Sequence, residues 1–121
     1  MTHFLDGPAK GAHLMLRRAP LFLRVTQSAA GFDALDQLDD SPAAGERLHA
    51  YRRVERPTSM HLDYFDAKTR RKVGAWFTVA RYRLVAGDQP AHDVMADRSR
   101  WRAWCRRAAA AECSTAEGGA A

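Results

Sequence analysis

His49, His61 and Asp63 recur at an alternating spacing that would set them on one face of neighbouring strands, with Arg53 opposite His61. A histidine pair beside an arginine and a carboxylate is equipment for general acid–base cleavage of a phosphodiester. No nucleophile accompanies them, and phosphate-loop, dinucleotide and nucleophile-elbow motifs are missing. The chain is therefore read as a non-enzyme, with a His-dependent nuclease as the third-ranked alternative. Metal chemistry has less support. His13 and His92 have no zinc-ligand spacing. Asp33, Asp36, Asp39, Asp40 and Glu46 lack the residue order of a calcium loop. A solvated acidic loop is expected there, or one docked on the protein's own Arg-rich half. Cys105 and Cys113 stand eight residues apart, about 12 Å of rise on a helix and too far for a disulfide. They read as free thiols with structural roles in a reducing compartment. No metal and no cofactor is expected.

The stronger chemistry is cationic. Of the 19 basic residues, 16 are arginine, whose planar fork suits carboxylate or phosphate. Residues 1–46 carry 4 basic and 6 acidic groups, whereas residues 47–121 carry 15 and 8, so the net +5 is concentrated in the C-terminal part. Arg98, Arg102 and Arg106 form an i, i+4 ladder interleaved with Trp101 and Trp104, and Lys68, Arg70, Arg71 and Lys72 crowd one turn. Arginine with tryptophan can grip phosphates and stack on bases. On an amphipathic helix, however, tryptophans more often enter the core, leaving the arginines as a basic surface that an acidic protein would also satisfy.

These groups must be positioned by local elements. Two short runs, Ala12–Arg17 and Leu21–Thr26, are broken by Arg18-Ala19-Pro20 and predict an N-terminal hairpin. Arg47–Val54, Ser59–Phe65 and Val73–Val85 alternate with period two, which predicts a three-stranded antiparallel meander turning at Pro57 and near Thr69. Sorted by face, Leu48, Ala50, Val54, Met60, Leu62, Tyr64, Val73, Ala75, Phe77 and Val79 form a core side, with Arg52 intruding. The opposite side collects His49, Tyr51, Arg53, His61, Asp63, Phe65, Trp76, Thr78 and Tyr82. That aromatic side is either a binding surface or the face that the C-terminal helix covers. Asp93 is expected to cap a helix from Val94 to Glu112, and Ser114 to Ala121 to fray. The fold class is thus α+β, one domain over 1–113 with a tail over 114–121. Edges for pairing with another chain are expected at Leu21–Thr26 or Val73–Val85.

The opening turn Asp6-Gly7-Pro8-Ala9-Lys10-Gly11, with the aromatic strand Phe77-Thr78-Val79-Ala80-Arg81-Tyr82, resembles a group of small actinobacterial and actinobacteriophage proteins that open with a (Gly/Asp)-Gly-Pro-x-x-Gly turn. The resemblance implies a phage-type accessory protein in a GC-rich bacterial host and brings no activity with it. The function expected is a small binding protein acting by contact on a host or phage protein, in host-factor modulation, anti-defence or assembly. Nucleic-acid binding is the alternative, and a homo-oligomer is a further form. The contact residues expected are Arg98, Arg102, Arg106, Trp101, Trp104, Lys68, Arg70, Arg71, Lys72, Tyr51, Arg53 and Trp76. No apolar run reaches the ~20 residues that span a bilayer, and no signal-peptide order opens the chain, so a cytoplasmic location, or the virion, is expected, with no membrane partner.

Overall fold

The strand Phe22–Ser28 (β3) shows why the architecture has more layers than one sheet and one helix. Phe22, Leu23, Arg24, Val25 and Thr26 are all buried, the pattern of a strand covered on both faces. The computed structural model describes residues 1–16, 18–35 and 46–119, the side chains of 113–119 excepted. The acidic run Asp36 to Asp40, and Arg17 at the end of the first expected strand, lie outside the described residues.

Around β3 the other strands are Thr2–Phe4 (β1), His13–Leu14 (β2), Gly31–Ala34 (β4), Arg47–Arg53 (β5), Thr58–Asp66 (β6) and Arg71–Leu84 (β7), followed by helices His92–Ala96 (α1) and Arg98–Gly119 (α2). The sheet order is β2-β1-β7-β5-β3-β4, with β6 joined, among the described residues, to β7 alone. β1 runs parallel to β7 while every other pair is antiparallel. The sheet is therefore mixed and curls into a nearly closed, barrel-like body, not a purely antiparallel one.

Two expected connections are corrected. The N-terminal hairpin does not form, because β2 pairs with β1 and β3 pairs with β4 and β5. Nor does the meander turn at Pro57. Arg53 pairs with Tyr82 and Thr58 with Val79, so residues 54–57 cross a gap that β7 spans with residues 80 and 81. Met1 occupies the other edge of β7 there, bonding Thr78 and Ala80. β5 and β6 are consequently one interrupted strand running along a single edge of β7. Proline fits such a bulge as well as a turn, since neither asks it for a ladder N–H. The side chain of Arg81 holds Glu55 across the interruption, with Nε to Oε1 at 2.7 Å.

The two faces of β3 and β5 enter two cores. Leu23, Val25 and Tyr51 point into the barrel with Phe4, Ala9, Ala34, Ala80 and Tyr82. Phe22, Leu48 and Ala50 point outward, where Met95 of α1 and Trp101 of α2 cover them. The helix thus covers the Leu48 and Ala50 side, while the aromatic side of β5 and of the C-terminal end of β7 is barrel interior. Arg52, the intruder, reaches α2, where its Nε and Nη2 bond Glu112 at 2.5 and 2.7 Å. The expected single helix is two. Ala91 precedes α1 without a side-chain cap. Asp97 caps α2, its Oδ1 accepting from the Arg100 N–H at 3.0 Å. The backbone of α2 stays helical past Ser114 to Gly119.

Candidate functional site

Beyond Ala80, β7 leaves the body. Its residues 71–79 pair with β6 on one edge and, among the described residues, meet only Met1 at Thr78 on the other, so Thr58–Val79 form a two-stranded arm about 30 Å long at a strand's rise of ~3.3 Å per residue. The register is Met60↔Phe77, Leu62↔Ala75 and Tyr64↔Val73. It differs by two residues from a turn centred at Thr69, and an even offset keeps every side chain on its expected face. One arm face therefore carries Met60, Leu62, Tyr64, Val73, Ala75 and Phe77, as sorted from sequence. It is no core. Met60, Leu62 and Tyr64 remain 48%, 47% and 49% exposed, because among the described residues no layer lies over them.

The opposite face carries Phe65 and Trp76, 66% and 73% exposed. Opposite Trp76, His61 lies against its ring, centroids 4.9 Å apart, with its Nδ1 3.7 Å from Asp63 Oδ1. Gly74 makes room for this group, since a Cβ there would stand 2.7 Å from His61 Nε2. At the tip, Asp66 Oδ1 accepts from the Lys68 N–H at 2.9 Å, and Arg70 adopts φ 54°, the left-handed region. Lys68, Arg70, Arg71 and Lys72 are all exposed there. Among the described residues none of their side chains makes an ion pair.

The remaining expected contact residues fall elsewhere. Tyr51 is fully buried; its hydroxyl accepts from Ala9 N at 2.9 Å and donates to the Asp6 carbonyl at 3.1 Å. Trp101 is 4% exposed and stacks on half-buried Trp104, ring centroids 5.2 Å apart at 9°, with Phe22 edge-on to Trp104. Core packing of the helix's apolar stripe uses those rings and leaves no face of Trp101 for a base. Arg53 turns inward, bonding the Ala19 carbonyl, and its Nε is buried without a partner. Arg98, Arg102 and Arg106 line a cleft of about 790 Å³ between α2 and the chain around Leu21, together with Arg18 and Arg24. Arg24, which the sequence does not single out, is buried with Nη1 on the Met95 carbonyl at 2.8 Å and its guanidinium 5.6 Å from the Trp101 ring. The helix arginines and the arm-tip cations are therefore two surfaces.

The histidines do not assemble. His49 sits in the body, its Nε2 2.9 Å from Gln27 Oε1, and burial and then Arg47 push its pKa below the usual value. His61 is on the arm, and Arg53 pairs with Tyr82 on β7, not with His61. Among the described residues no group of three His, Cys, Asp or Glu is arranged to hold a metal, and no helix is long and apolar enough to cross a membrane.

Phe65, Met60, Leu62 and Tyr64 gain importance only in three dimensions. The one signal available for them in the sequence is length: Val73–Val85 outruns both Arg47–Val54 and Ser59–Phe65, so neither run alone can pair with all of it. Comparisons with protein families, with curated proteins and with solved structures find no match to this chain.

Proposed function

We propose that the chain is a non-enzymatic binding module whose arm, Thr58–Val79, is the contact surface for a protein partner. The observation that carries this is an arm with large apolar side chains on both faces and no contribution to either core. Contiguous exposed apolar surface of this kind marks interaction sites, and aromatics beside arginine are the residues that dominate interface energies. A two-stranded ribbon is also marginal alone, so a partner laid on it gains surface while ordering it. The phage-type resemblance of the opening turn suggests a host or phage protein as the partner class.

Nucleic acid is the second reading. It is favoured by the four exposed cations at the tip and by Arg102 and Arg106 on the helix. The tip and the helix would have to span a long ligand, and the tryptophans meant for stacking are in the core or half-buried against it.

Recovery of partners from nuclease-treated host lysate at ~0.15 M and ~0.5 M salt separates the two, because screening tightens between them. The arm reading expects one protein in stoichiometric amount at both salts, lost when Phe65→Ser and Trp76→Ser are combined. Nucleic acid recovered without digestion, released at the higher salt and untouched by those two changes, contradicts it.

A further inference from the structure

We infer that two copies of this chain pair through the outer edge of β6, antiparallel about a two-fold axis at Leu62, joining their arms into one four-stranded sheet. The pairing rests on the arm being a contact surface and names one partner for it.

The edge itself is the first ground. Along the nine residues of β6, the alternate N–H and C=O groups that point away from β7 pair with nothing among the described residues. Its register against β7 is unbroken, so no bulge twists the edge away, and it contains no proline, glycine, lysine or arginine. Those are the devices by which proteins blunt an edge against strand addition. The other edges of the fold show them. β2 and β4 end the main sheet with two and four residues. The free edge of β7 on the arm carries Arg71, Lys72 and Gly74. β6 is left open where its neighbours are guarded.

The second ground is self-complementarity. Met60-His61-Leu62-Asp63-Tyr64 reads apolar, cation-capable, apolar, anion, apolar, and from the other end the same with the two charges exchanged. Turned about Leu62, an identical strand sets Met60 against Tyr64, Leu62 against Leu62, and His61 against Asp63 twice. Directly opposed side chains of an antiparallel pair lie ~5 Å apart, near enough for each of these to act. A shift by one residue would put apolar side chains against charged ones, and a shift by two would set His61 against the ring of Phe65 or against its own copy. The pairing also closes. Each copy has one β6, so the contact is isologous and yields a dimer instead of a fibre.

Edge pairing buries the outer backbone of β6 and the flanks of its opposed side chains and leaves both faces of the arm open, so a small interface and a dimer of modest affinity are expected.

The test uses the full chain in light scattering and sedimentation from ~1 to ~100 µM, the span of modest protein affinities. A monomer–dimer equilibrium is expected. Leu62→Cys should oxidise to a covalent dimer, because opposed Cα atoms at ~4.5–5.5 Å fall within disulfide reach. Met60→Cys, opposite Tyr64 of the other copy, should not. The unmodified chain, with its own Cys105 and Cys113, is the control for both. His61→Asp sets carboxylates against each other at two symmetric points and should weaken the dimer about tenfold. Combining it with Asp63→His restores the complement and should restore the dimer. A monomer throughout the range, equal cross-linking at positions 60 and 62, or no rescue by the double exchange overturns the pairing. Should the chain be monomeric and still lose a lysate protein with Phe65→Ser and Trp76→Ser, the dimer fails and the binding arm stands. A dimer that survives with no lysate protein bound reverses that outcome.

Discussion

Tyr51 shows how single residues decide this fold. Its hydroxyl lies inside the barrel mouth, accepting from Ala9 N at 2.9 Å and donating to the Asp6 carbonyl. Burial, first of its causes, raises its pKa, with Asp6 adding to the rise and the Ala9 bond opposing it. Asp6 also accepts from the Leu84 N–H through Oδ1 at 2.6 Å. Gly7, at φ 70°, passes so close that a Cβ would stand 2.7 Å from the Tyr51 hydroxyl oxygen. The Asp-Gly-Pro turn is thus a stopper built around one phenol, a structural reason for its residues. Tyr51→Phe strands the Ala9 N–H and should cost about 1–3 kcal/mol in denaturant titration. Gly7→Ala meets both the positive φ and the close oxygen, and should lower the melting temperature at least as much. Nearby, the rings of His3 and His13 meet edge to face, centroids 4.6 Å apart. Burial, then His13, the N-terminus and Arg81 lower the His3 pKa. A histidine with a lowered folded-state pKa binds fewer protons folded than unfolded, so stability rises with pH below the unfolded value near 6.5. The melting temperature should fall between pH 7 and 5, and fall less in His3→Gln.

At the scale of elements, side-chain parity was legible and connectivity was not. Alternation in Ser59–Phe65 and Val73–Val79 assigns the two arm faces correctly even though the register is two residues off, because the pleat has period two. What alternation cannot carry is which strand lies beside which. Pro57 satisfies a turn and a bulge equally, and β1, three residues long, pairs in parallel with residues 80–82 of β7, a contact no local pattern announces. The helix was legible through its apolar stripe, including Trp101, but the break at Asp97 was not, since Asp93 is an equally good capping residue. Gln89 shows a side chain standing in for a strand. It accepts from Ala50 N at 2.9 Å and donates to the Ala50 and Val85 carbonyls at 3.1 and 3.2 Å. Gln89→Ala should destabilise by about 1–3 kcal/mol, most of it from the orphaned Ala50 N–H. Trp101→Ala, opening the second core under α2, should cost about 3–5 kcal/mol.

Across the whole molecule, charge and apolar surface are separated from the cores. The body buries its aromatics around Tyr51, Tyr82, Trp101 and Phe22, while the arm presents Phe65 and Trp76 to solvent and carries four cations at its tip. That division explains why the contact residues expected from the sequence scatter between core and surface. The aromatics of β5 and α2 had a core available to them, and those of β6 and the outer half of β7 did not. Stability and binding should therefore be separable by mutation, as surface changes far from a core usually move stability by less than about 0.5 kcal/mol. The most direct measurement compares the unmodified chain with the Phe65→Ser and Trp76→Ser double variant, by thermal melt and by partner recovery at ~0.5 M salt, where long-range charge is screened. An unchanged melt and a lost partner are expected. A melt that collapses while the partner is still recovered would contradict this, making the arm part of the fold and placing the contact surface elsewhere.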